Sequence, residues 1–211
     1  MKTRALALAL PALLAAACGA DYTAVALTNV CFPPEPGTGG VCQYSATCDA
    51  TLADTANLDV GVAYAPFQLP IEFTNQLASS ANTSNGTVDV NDAFVQQIEI
   101  EYVGAPLAPL TLPVQATVPS SGATVKVLQL IQTADFATLQ ALVPTSASSL
   151  QLILKVRASG VYGSQNKFTT AWFQIPVDVY ANVYPANPCP TGTVLTGVCP
   201  AYGQTAVIKC E

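Results

Sequence analysis

The chain has 211 residues, 51% of them hydrophobic and only 9% charged, with a net charge of −6 and no histidine. The missing imidazole excludes His-based triads, Cys–His dyads and His-ligated zinc or copper. The acidic balance leaves no electrostatic footprint for DNA or RNA, whose binding rests largely on neutralised phosphates.

Residues 1–18 have the form of a bacterial secretory leader. Lys2 and Arg4 precede an apolar run from Ala5 to Leu14, broken only at Pro11. That run is too short to cross a bilayer and stay. Leu14-Ala15-Ala16-Ala17-Cys18 then resembles a lipobox, where the cysteine is lipidated and becomes the first mature residue. Ala15 stands where leucine is usual. The same alanines would suit ordinary cleavage, and cysteine parity decides between the two. Cysteines stand at 18, 31, 42, 48, 189, 199 and 210. Lipidation of Cys18 leaves six, enough for three disulfides in an oxidising compartment.

Beyond the leader the only cations are Lys126, Lys155, Arg157, Lys167 and Lys209, against 13 acids. Residues 19–57 read as a tether and a cysteine-rich loop. Twelve tether residues, 19–30, reach about 40 Å when extended. The segment Phe32-Pro33-Pro34-Glu35-Pro36-Gly37-Thr38-Gly39-Gly40 is too dense in proline and glycine for a helix or a central strand.

Residues 58–181 carry β patterning. Leu58, Val60, Val62 and Tyr64 alternate with their neighbours. Leu69 to Phe73 is a second candidate strand, and 78–87 is a polar loop. In Phe94 to Val103, Ile98, Ile100 and Tyr102 point one way, Glu99 and Glu101 the other. Leu110 to Val118 and Thr124 to Ile131 follow, and Pro113 marks the first as an edge or a bulge. Phe136, Leu139 and Leu142 give about two helical turns over Asp135 to Leu142, stopped by Pro144. Leu150 to Arg157 alternates, 158–166 is turn-rich with Gly160 and Gly163, and Phe168 to Tyr180 returns. Strands separated by turns, without a βαβ rhythm, indicate an antiparallel immunoglobulin-like β-sandwich. Residues 182–211 resume the Pro/Gly/Cys texture, so disulfide-stapled loop segments are expected on both sides of the sandwich.

The leader, Lys155-Val156-Arg157, a glycine-bearing turn, Phe168, Trp172-Phe173-Gln174-Ile175-Pro176-Val177-Asp178-Val179 and the cysteine tail together resemble uncharacterised lipoproteins of myxobacteria. The resemblance implies an immunoglobulin-type sandwich with a cysteine-bearing C-terminus. It brings no activity with it.

Cys31, Cys42, Cys48, Cys189, Cys199 and Cys210 lack the close pairs that zinc sites use, so disulfides are expected and no metal. Their connectivity is open among fifteen possibilities. Three before the sheet and three after it suggest at least one long-range bridge. Asp89-Val90-Asn91-Asp92 resembles a piece of the cadherin calcium linkers, but one tetrapeptide fits a strand-end turn better, and calcium there stays open. Glu99 and Glu101 lie about 7 Å apart on one strand face. Two carboxylates can hydrolyse glycosides, although catalytic acids normally come from separate elements around a cleft. Ser148-Ser149-Leu150-Gln151 lacks the lysine of a nucleophile motif. Asn82 and Asn85 begin glycosylation sequons, which in a bacterial chain are a polar loop. Tyr180, Tyr184 and Tyr202 suit either sugar stacking or packing of the tail.

The expectation is a protein held by lipid on Cys18 in the bacterial envelope, at the outer membrane. It needs no cofactor and binds or spaces without catalysis, its partners being the membrane and an envelope protein or glycan. The alternatives are a carbohydrate- or peptidoglycan-binding module and a hydrolase using buried acids such as Asp59 or Asp178.

Overall fold

The computed structural model describes residues 23–31, 48, 55–61, 67–80, 89–145, 148–183, 189–199 and 207–210. In chain order the strands are β1 (Val25–Val30), β2 (Ala56–Asp59), β3 (Gln68–Asn75), β4 (Ala93–Val103), β5 (Leu110–Val118) and β6 (Gly122–Gln129). A 3-10 turn at Thr133–Asp135 leads into α1 (Phe136–Leu142). Then come β7 (Leu150–Tyr162), β8 (Lys167–Thr169), β9 (Phe173–Tyr180), β10 (Leu195–Cys199) and β11 (Val207–Cys210).

The strands form an all-β, sandwich-like fold. One sheet has the order β1-β3-β6 and the other β2-β9-β7-β4-β5, with β8 added on β7. Alternation dictates which side chains meet between them. Ile98 and Ile100 of β4, Leu152, Leu154 and Val156 of β7, and Ile175 and Val177 of β9 are buried. They join Leu69, Ile71 and Phe73 of β3 in one core. Each large side chain buried this way stabilises the fold by about 1.5–3 kcal/mol relative to exposure. The chain changes sheets at the turn between β5 and β6, where Gly122 N–H donates to Pro119 O at 3.0 Å. Pro113 lies in β5, the edge strand, as its chemistry requires.

Several elements differ from the sequence expectation. The segment read as a tether contains β1, whose Val25, Leu27 and Val30 are buried. A bulge between Leu27 and Asn29 breaks its alternation and hides it from pattern reading. β2 begins at Ala56, two residues earlier than expected, and pairs with β9 in parallel, the exception in an otherwise antiparallel arrangement. β7 runs on through the supposed turn to Tyr162. Gly160 is a strand residue that lets two backbones approach: a Cβ there would sit 2.0 Å from Phe94 O. The return from Phe168 is broken into β8 and β9, because Thr170 leaves the ladder to hold Ala158 through backbone and hydroxyl. The C-terminal loop segment contains the antiparallel pair β10–β11. Among the described residues no helix is long and apolar enough to cross a membrane.

Two disulfides lie among the described residues, Cys31–Cys48 and Cys189–Cys210, with sequence separations of 17 and 21. Both are local; the long-range bridge that the cysteine layout suggested would involve Cys42 and Cys199, and Cys42 and the Cys199 side chain lie outside the described residues. So do Cys18, the residues 62–64, the sequons at Asn82 and Asn85, Tyr184 and Tyr202.

Candidate functional site

The outward face of the larger sheet carries a row of four paired charges. Register places Glu101 opposite Lys155 and Glu99 opposite Arg157. Lys155 Nζ lies 2.8 Å from Glu101 Oε2, and Arg157 Nη2 lies 2.6 Å from Glu99 Oε2. Trp172, just before β9, lies against both cations, with Arg157 Cζ 4.4 Å and Lys155 Nζ 4.9 Å from its ring centre. Surface pairs of this kind contribute about 0–1 kcal/mol each and cation–π contacts about 0.5–1. The row is flat and neutral overall. Glu99 and Glu101 share that face as expected, but each already holds a cation and no cleft separates them.

Three carboxylates act as internal staples. Asp59 is fully buried. It accepts Gly61 N–H at 2.8 Å, Asn182 N–H at 2.7 Å and Val183 N–H at 2.6 Å, tying the end of β2 to the end of β9. Glu72, on β3, is nearly buried and accepts from Thr28, Asn29 and the Cys48 N–H. Burial pushes its carboxyl up, but those donors outweigh it and hold it below the ordinary range. The N-terminal staple is thereby fixed to the sheet.

Asp89 is the third. It accepts the hydroxyls of Ser79, Ser80 and Ser120 and the N–H groups of Ser80 and Asn91. These donors, the serine hydroxyls foremost, hold it far below the usual carboxylate range. Asp92 Oδ1 accepts Ser120 N–H at 2.8 Å. The tetrapeptide therefore forms a strand-end turn whose carboxylates are engaged by donors. Among the described residues no cluster of three or more His, Cys, Asp or Glu could hold a metal.

Among the described residues, grooves lie at strand edges: about 220 Å³ between β1 and β9, about 370 Å³ at the β4 bulge, and about 370 Å³ between β5 and β6. Their walls carry no carboxylate, and Lys126 is their one charged residue. Asp178 is half-buried on the outer face rather than in the core. It accepts from Tyr180, whose phenol is raised by burial first and then by that carboxylate. Sequence reasoning missed the Trp172 stack, because it depends on cross-strand register that no local pattern reveals.

No protein-family model, curated protein or solved structure matches this chain.

Proposed function

We propose that this chain is a lipid-anchored protein of the bacterial cell envelope, similar to myxobacterial-type lipoproteins, whose sandwich binds a macromolecular partner without catalysis. The observation that carries the reading is the pair of disulfides, Cys31–Cys48 and Cys189–Cys210, in a chain with seven cysteines. Disulfides form in oxidising compartments, and the odd cysteine stands at the lipobox. The absence of histidine and the lack of acids in the three grooves support a binding role.

A glycan-binding module is the second reading, and Trp172 and Tyr180 on the outer face favour it. Against it, the Trp172 ring is already stacked on Arg157 and Lys155. The test is a hydrolase and binding screen of the purified protein on peptidoglycan, oligosaccharides and esters. No turnover, with a partner recovered by crosslinking in intact cells, is the expected result. Turnover that vanishes in Asp59→Asn or Asp178→Asn, in protein that remains folded, refutes the non-catalytic reading.

A further inference from the structure

The chain enters the sandwich at the end where β3 finishes and β4 and β6 begin. Val25 opens β1 opposite Asn75, the last residue of β3. The entry point is held on two sides: Gln76 N–H donates to Ala24 O at 2.9 Å, and the backbone of Ala24 and Val25 hydrogen-bonds to the Tyr162 phenol. The same end carries the Asp89 turn, the 119–121 turn and the 163–166 turn. Gly163 N–H and Ser164 N–H donate to Asp92 O and Val90 O. The opposite end carries Cys31, whose N–H donates to Pro70 O, and α1. It also carries the Asp59 staple, from which the chain departs towards Cys189.

We propose that the Asp89 end faces the bilayer surface and that the opposite end, with the Cys31–Cys48 staple, is turned away from it. The inference rests on the lipid anchor at Cys18 proposed above. Seven residues separate Cys18 from Val25, a span of at most about 25 Å. The 11 residues of β4 measure the sandwich at about 35 Å. A tether shorter than the body cannot let it stand inverted.

The test uses the full lipidated protein in vesicles of phosphatidylethanolamine and phosphatidylglycerol carrying a headgroup nitroxide. A fluorescent amino acid replaces Ser164 at the near end or Gln140 at the far end, both exposed. Quenching at least twofold stronger at position 164 is expected. Equal quenching, or stronger quenching at position 140, in protein that floats with the vesicles overturns the orientation while leaving the anchor intact. Protein that does not float overturns the anchor, and the orientation with it.

Discussion

Gly160→Ala tests the placement of β7 directly. Gly160 is paired on both sides, with Val95 of β4 and Phe168 of β8, so neither neighbour can swing away cheaply. The added methyl would lie 2.0 Å from Phe94 O, 2.9 Å from Phe94 C and 3.0 Å from Phe168 Cζ. The closest obstacle is backbone, so β4 and β7 must part by about 1 Å. Overpacking of this kind costs about 1–3 kcal/mol, and a rigid obstacle puts the change at the upper end. Urea unfolding followed by Trp172 emission reads the effect. With a slope of about 2–3 kcal/mol/M, the midpoint should fall by about 1 M. The melting temperature should drop by about 5–10 °C. If Gly160 lay in an ordinary turn at negative φ, alanine would stabilise by about 0.4–1 kcal/mol through the unfolded chain. An unchanged or raised midpoint therefore refutes the close-approach argument.

Asp59→Asn removes a charged acceptor from three backbone N–H groups and should destabilise the protein by about 2 kcal/mol. Hydrogen exchange at Asn182 and Val183 should rise, and unchanged protection there would refute the staple. Glu72 has a folded-state value below its ordinary 4.5, so its stabilising contribution is complete above pH 4.5 and is lost as the pH falls below it. Glu72→Gln should flatten the acid limb of the stability profile in thermal melts; an identical limb would show that Glu72 does not drive it. A non-reducing peptide map should recover Cys31–Cys48 and Cys189–Cys210 and, with Cys18 lipidated, a third bridge between Cys42 and Cys199. Free thiol at Cys42 or Cys199 would refute that third bridge. A bridge closing so long a loop contributes about 4–5 kcal/mol in the chain-entropy model.

Where the physics is local, the sequence was legible. The bounds of β5 are those that alternation suggests, and Ile98 and Ile100 face the core while Glu99 and Glu101 face out. The helix over Phe136–Leu142 follows from its apolar spacing. Legibility failed where the deciding contact lies elsewhere in the chain. Gly160 resembles a turn glycine until Phe94 is known to lie across from it. β1 loses its alternation at a bulge opposite β3. The Asp89 turn could be named, but its donors from Ser79, Ser80 and Ser120 sit in two other loops. Glu99 and Glu101 read as a solvated pair, yet the partners that occupy them come from β7, more than 50 residues away.

The parallel ladder of β2 on β9 sets an order of events during synthesis. A chain emerges N-terminus first. The β1-β3-β6 sheet has all its strands once Gln129 is out. β2 has no backbone partner until Tyr180 follows. Through that interval its amides are bonded to water, and Asp59 has yet to meet Asn182 and Val183. Closing so distant a pair is slow compared with local pairing. The second half of the sandwich therefore cannot lock until Tyr180 has emerged, and β9 acts as the timer for its compaction.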